Sequence, residues 1–193
     1  MDKLIIYMIC INILGAVLDG VTAATRRRRT SHKALSVLLG IIAIAGGAPG
    51  MIIAFALCDR TASKTNMMLR VFTVCVCVIE LAVFMTWKLR PAGKWNFAFW
   101  NVFVEYRWTL WFVAAVSVVT FVMFGIDKYR AVKGGYRIPI AVLLGMAFAG
   151  GSIGALLGMV VFRHKIRKNY FSVGVPLILV MQVVLMMCVV NLL

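Results

Sequence analysis

Six runs of apolar residues, separated by short charged loops, leave this chain few ways to fold. They are roughly Leu4–Ala24, Ala34–Cys58, Val71–Trp87, Trp108–Ile126, Ile138–Phe162 and Tyr170–Leu193. A helix needs about 20 mostly apolar residues to cross a hydrocarbon layer ~30 Å thick, and each run lies near that length. Composition agrees: 63% of residues are hydrophobic, 14% are charged, and mean hydropathy is +0.99. A soluble domain has about 45–50% apolar and about 25% charged residues. The predicted class is an all-α integral membrane protein with about six transmembrane helices and no separate soluble domain. The first run also reads as a cleaved signal peptide, with Lys3 ahead of an apolar core and small residues near Ala24. The repeat described next requires it as a span.

The chain reads twice. "AGGAPG" at Ala45–Gly50 and "AGGSIG" at Ala149–Gly154 interrupt the second and fifth runs, 104 positions apart. Lys33, Gly46, Gly47, Gly50 and Lys64 answer to Arg137, Gly150, Gly151, Gly154 and Lys168 at that one offset, while Asp19 and Asp127 align after a four-residue shift. The organisation is a degenerate first repeat over 1–87, a linker over 88–107 and a second repeat over 108–193. The apolar part of the linker, Trp95–Val104, reaches about 15 Å as a helix, too short to cross. It reads as an amphipathic interfacial helix or an extension of the fourth span. Three spans per repeat and a non-crossing linker predict a 3+3 inverted-topology repeat with Gly-interrupted second and fifth spans, an architecture of many small transporters.

The net charge of +15 sits in short loops: "RRRR" at Arg26–Arg29, "KLR" at Lys88–Arg90, "DKYRAVK" at Asp127–Lys133 and "RHKIRK" at Arg163–Lys168. Basic residues beside a bilayer attract anionic headgroups at about 1 kcal/mol each. Membrane lipid is therefore the expected partner and nucleic acid the less favoured one, with a homo-oligomer or membrane partner also open. Loops one, three and five hold 13 basic residues and the alternate segments hold 8. By the positive-inside rule both termini lie outside the cytoplasm.

Glu80 is the one acid deep within a run. A carboxylate there costs several kcal/mol unless it is neutral, paired or facing water, and such groups serve as proton relays or cation sites. The structural alternative is a neutral glutamate bonded to a neighbouring helix, through Ser117, Thr120 or Gln182. The glycines also read two ways. Gly46 with Gly50, and Gly150 with Gly154 and Gly158, have the i, i+4 spacing that lets helices approach closely. Alternatively Gly46, Gly47, Pro49, Gly50, Gly150, Gly151 and Gly154 break their helices, and with Glu80 they mark a substrate path. In a crossing segment Asp127, Lys128 and Arg137 share one face, where Asp127 and Arg137 could pair. Arg163, His164, Lys165 and Lys168 leave on the other. Both groups read as anion or headgroup sites, or as loop anchors whose long side chains snorkel to the interface. His32 and His164 lie one in each repeat. Cys10, Cys58, Cys75, Cys77 and Cys188 show no metal or disulfide spacing. No cofactor, metal or catalytic dyad or triad is expected, so the chain does not read as an enzyme.

The second half carries a resemblance. "GIDKYRAVKGGYRIP", "GMAFAGGSIGALLGMVVFRHKIRK" and "FSVGVPLIL", from Phe124 to about Leu179, resemble the bacterial membrane family catalogued as domain of unknown function 1294. Ile140 stands where that pattern has glutamate, and Ile166 where it has threonine. The resemblance implies a small bacterial inner-membrane protein and brings no established activity. The residues themselves favour a transporter or channel for a small anionic or amphiphilic solute or lipid. The alternative is an accessory protein that binds anionic lipid or a partner subunit.

Overall fold

With no water in a bilayer core, backbone amides must be satisfied within the segment, so apolar runs of this length become helices. In a computed structural model, which describes residues 3–26, 33–58, 66–89, 96–97 and 100–192, they do. Arg27–Arg29, His32, Lys64, Lys94 and most of the linker lie outside the described residues. The helices are α1 (Lys3–Arg26), α2 (Lys33–Ile42), α3 (Ala48–Leu57), α4 (Met67–Leu89), α5 (Asn101–Glu105), α6 (Arg107–Val132), α7 (Ile140–Met146), α8 (Ser152–Val161), α9 (Asn169–Ser172) and α10 (Gly174–Leu192). Among the described residues, six helical segments are long and apolar enough to span a membrane: Ile5–Ala24, Ala34–Leu57, Met67–Leu89, Arg107–Val132, Ile140–Val161 and Asn169–Leu192. Among the described residues of the expected interfacial helix at Trp95–Val104, helix is found in the short α5, followed at once by α6. The chain divides into two units, Met1–Leu81 and Ala82–Leu193, with the boundary inside α4.

The second and fifth segments are not single helices. Each is broken by a wide turn, at Ala43–Gly47 and at Ala147–Gly151. The break falls on one residue in each, Gly46 (φ 102°) and Gly150 (φ 119°). Only glycine enters that region without the Cβ penalty, about 1–2 kcal/mol for other residues.

The packing of α6 tells where the fifth segment goes. The Ile138 amide, ahead of α7, donates to Asp127 near the end of α6. Gly150 then lies beside Phe112 and Val113, about 20 Å back along that helix. From there α8 climbs again: Gly154 packs on the Ser117 backbone, Gly158 on Phe121 and Phe124, and Phe162 on Gly125. His164 ends beside Asp127 once more. Both flanks of the segment therefore meet one carboxylate, whereas the ends of a crossing helix stand about 30 Å apart. The segment is a re-entrant hairpin that enters and leaves on the same side. Afterwards Phe171 stacks edge-on against Phe124, Gln182 reaches the bend, and Asn191 meets Asn96. So α10 runs back alongside the hairpin to the linker.

The first unit repeats the plan. Gly46 lies beside Met8 and Ile11, Gly50 packs on the Asn12 backbone, Met51 lies against Gly15, and Cys58 against Gly20. Going from Gly46 to Cys58 thus follows α1 in its own direction. Its core joins Leu39, Ala43, Ala48, Met51, Phe55, Leu69 and Cys77, so both legs of the hairpin pack with α4.

This geometry changes the topology expected from sequence. Three crossings per repeat were the premise of the inverted arrangement. Each half instead has a long helix, a hairpin that returns, and a helix that runs back, so three crossings per repeat, and the inversion that would follow from them, are not shown.

Candidate functional site

Each unit has its own candidate site, made of its bend and the polar groups gathered around it. In the first unit, Asn12 of α1 spans the bend. Its Nδ2 donates to Gly46 O (3.0 Å) and Met8 O (2.8 Å), and its Oδ1 accepts the Gly50 amide (2.7 Å). Gly50 lies in the first turn of α3, where amides have no partner within the helix. A side chain from α1 therefore caps the returning helix. The Tyr7 hydroxyl donates to Ala45 O (2.8 Å). Pro49 sits in that same first turn, where its missing amide costs nothing. Its expected role as a helix breaker is thus corrected: Gly46 makes the bend, and Pro49 starts the helix that follows it. The second unit has Ile153 there and bends in the same way.

Glu80 of α4 faces this bend on the side of the Gly46 backbone amide. Its Oε1 is buried, with no hydrogen-bond partner among the described residues. Ser117, Thr120 and Gln182, named from sequence as its possible partners, are each engaged within the second unit. Thr120 donates to Val116 O (2.7 Å) and Ser117 to Gly150 O (3.4 Å). Gln182 of α10 donates through Nε2 to Ala147 O (2.8 Å) and Phe148 O (3.1 Å), and its Oε1 accepts the Ser152 hydroxyl (2.5 Å). In each half the third long helix thus brings a polar side chain to the bend, glutamate in one and glutamine in the other.

The two readings of the glycines apply to different glycines. Gly46 and Gly150 break the helix. Gly47, Gly50, Gly151, Gly154 and Gly158 permit close approach: a Cβ on Gly50 would strike the Asn12 backbone, one on Gly154 the Ser117 backbone, and one on Gly151 the Thr120 side chain.

A second cluster closes the hairpin of the second unit. Asp127 is fully buried. Its Oδ1 accepts the Ile138 amide at 2.8 Å, and its Oδ2 lies 2.7 Å from Lys165 Nζ and 2.8 Å from His164 Nε2. Lys165 Nζ also stands 4.9 Å from the centre of the Phe171 ring. Arg163 (φ 45°) and Lys165 (φ 62°) hold left-handed backbone around His164. Such conformations cost about 1–3 kcal/mol and persist where the surroundings enforce them. Here the enforcement is the buried carboxylate. The expected Asp127–Arg137 pair and the placing of His164 and Lys165 on the opposite face are both corrected, because the re-entrant hairpin returns its exit loop to the entrance. Arg137, Arg163 and Lys168 are exposed and Lys128 is half-buried. Asp127–Arg137 and Arg163–Lys168, with four basic residues each, thus gather at one end of the unit.

Asn12, Tyr7 and Ser152 were not anticipated as parts of the site. Asn12 carried a usable signal, since a polar amide amid an apolar run is as anomalous there as Glu80 is in its own.

No solved structure matches the chain. The uncharacterised protein YsdA of Bacillus subtilis (strain 168) is 36% identical over 74 residues, which are 38% of this chain and 83% of that protein. That relative is therefore shorter than half of the 193-residue chain. A family model, described as a protein of unknown function (DUF1294), matches residues 117–171, from the Ser117 contact through the hairpin and its Asp127 clamp to Phe171. On these matches the chain belongs to the DUF1294 family.

Proposed function

We propose that the protein is a small transporter or channel for an anionic or amphiphilic solute, lipid included, in a bacterial inner membrane, with the glycine bend of each unit, taken by itself, as a candidate point of passage. The observation that carries this reading is the re-entrant hairpin, present in both units, with non-helical backbone at its tip. At membrane depth such backbone is tolerated where protein buries it or where it lines a wet cavity, and broken helices at mid-depth are where many transporters bind substrate. The returning helices α3 and α8 direct their positive amino-terminal ends toward the bends, which suits an anionic group. Glu80 serves as the coupling group. The basic end of the second unit faces the cytoplasm by the positive-inside rule, which leaves the carboxyl terminus outside, and concentrates anions at the entrance.

The test is reconstitution into phosphatidylglycerol-containing vesicles. The probes are radiolabelled phosphate, a small radiolabelled carboxylate and a fluorescent phosphatidylglycerol. Protein-dependent movement of one of them, reduced at least tenfold by Glu80→Gln in protein that still elutes as folded, supports the reading. No movement of any probe by folded wild type overturns it.

A second reading has its own observation. Ala45, Gly46, Ala147, Phe148 and Gly150 carbonyls are all met by side-chain donors of their own unit. That closure suits an accessory protein whose basic end, including Lys128, Arg137, Arg163 and Lys168, holds anionic headgroups. Saturable binding of anionic vesicles without flux favours it.

A further inference from the structure

The matched carbonyls of the two bends are treated differently. In the second unit the Gln182 amide group donates to Ala147 O and Phe148 O, while Gln182 Oε1 is held by Ser152. The corresponding residues of the first unit are Ala43 and Ile44, and Ala48 stands in place of Ser152. No side-chain donor meets the Ala43 or Ile44 carbonyl among the described residues. The third helix brings no amide there. It brings Glu80, which faces the Gly46 amide and carries a buried Oε1 with no hydrogen-bond partner among the described residues. The carboxylate thus stands two and three residues from carbonyls that its counterpart would have bonded. The carboxyl end of α2, the negative pole of a ten-residue helix, opens on the same turn.

The Ala43 and Ile44 carbonyls, the carboxyl end of α2 and the Glu80 carboxylate are three sources of negative potential here, set against the Gly46 amide and the amino end of α3. Unwound carbonyls and half-helix carboxyl ends are the groups that coordinate small monovalent cations within membranes.

We propose that the first bend binds a small monovalent cation of the sodium class, between Glu80 Oε1 and the carbonyls of Ala43 and Ile44, where the second bend uses the amide of Gln182. The cation does for the first hairpin what a side chain does for the second: it ties the bend to the third helix. Because the tie is exchangeable, occupancy sets the stability of that hairpin alone. The inference deepens the transport reading by naming the coupling ion, yet binding is measured without any flux, so either can fail while the other stands.

Purified full-length protein in lipid nanodiscs is melted across a NaCl titration, with choline chloride holding ionic strength constant, and 22Na+ binding is measured by scintillation proximity. Wild type shows a saturable, sodium-specific rise in melting temperature and saturable 22Na+ binding. Glu80→Gln loses both, or raises half-saturation at least tenfold, and melts without sodium at or above sodium-free wild type, because glutamine supplies its own donor. Glu80→Asp, which keeps the charge but draws it back, raises half-saturation at least tenfold. Gln182→Ala keeps the sodium response. A wild type with no sodium-specific response, a Glu80→Gln that responds like wild type, or a melting temperature that follows pH and not sodium would each overturn the proposal, the last in favour of a bound proton.

Discussion

The two hairpins share a backbone and differ in how it is held. Both bend at a glycine in the left-handed region, both return on a ten-residue helix, and both pack that helix on the backbone of the first crossing helix through a glycine four residues beyond the bend. Around that common frame, the second is fastened by neutral groups, Ser117, Gln182 and Ser152, and closed at its mouth by Asp127. The first is spanned by Asn12 and Tyr7 and faces an ionisable Glu80. Backbone geometry recurs because hydrocarbon permits few ways to turn a chain inside a membrane. Side chains diverge because several donors can satisfy the same carbonyl. What differs between the halves is therefore the better guide to what each half does.

The all-or-none test of this comparison is topological. Single-cysteine accessibility at Gly134 and Arg167, which flank the fifth segment, is expected to place both on one side of the membrane. Residues on opposite sides would restore a crossing helix and remove the hairpin from the second half. Next in size is the clamp. Asp127→Ala strands Lys165 near a buried face and releases the Ile138 amide, which costs about 3–5 kcal/mol as for other broken buried pairs. It is expected to lower the unfolding temperature sharply in nanodiscs; an unchanged melt would reduce Asp127 to a bystander. Smaller effects follow from the helix contacts. Gly50→Val and Gly154→Val each drive a branched side chain into a facing backbone, at about 1–3 kcal/mol or more. Matched losses of folded yield on size exclusion would confirm equivalent frames, whereas a loss in one half alone would break the equivalence.

Much of this was legible in the sequence, and the reason for the exception is physical. Span positions follow from length and hydropathy, and the duplication follows from five residues at one offset. Re-entrance escaped because two short apolar legs joined by a turn have the length and hydropathy of one crossing helix: Ala34–Leu57 is 24 residues and Ile140–Val161 is 22. Hydropathy counts residues and carries no direction. The direction lay in Asp127, which the sequence placed opposite His164 and Lys165 only because a crossing was assumed. At the bends, Gly46 and Gly150 were read both as helix breakers and as contact glycines, because nothing in a lone glycine separates it from Gly50 or Gly154, whose task is contact. That distinction depends on which backbone lies across from each.

The smallest expected effect probes the bends most directly. Asn12 makes three hydrogen bonds of 2.7–3.0 Å and joins both sides of the first bend, while Ser117 reaches the second bend by one contact of 3.4 Å. Polar contacts between membrane helices average about 0.6 kcal/mol and reach about 1.7. Asn12→Ala should lie toward the upper end, since it also removes the cap from α3, and Ser117→Ala should cost a few tenths of a kcal/mol at most on that scale. Melting both variants in nanodiscs of one composition reads the difference directly. Equal losses would mean that the cap does not hold the bend and that the glycine backbone alone sets it. Under the expected inequality, the first hairpin depends on a side chain of its neighbour where the second depends on its own exit loop. The first would then loosen when Asn12 is lost while the second stays closed, and hydrogen exchange at Gly46–Gly50 against Gly150–Gly154 would register it.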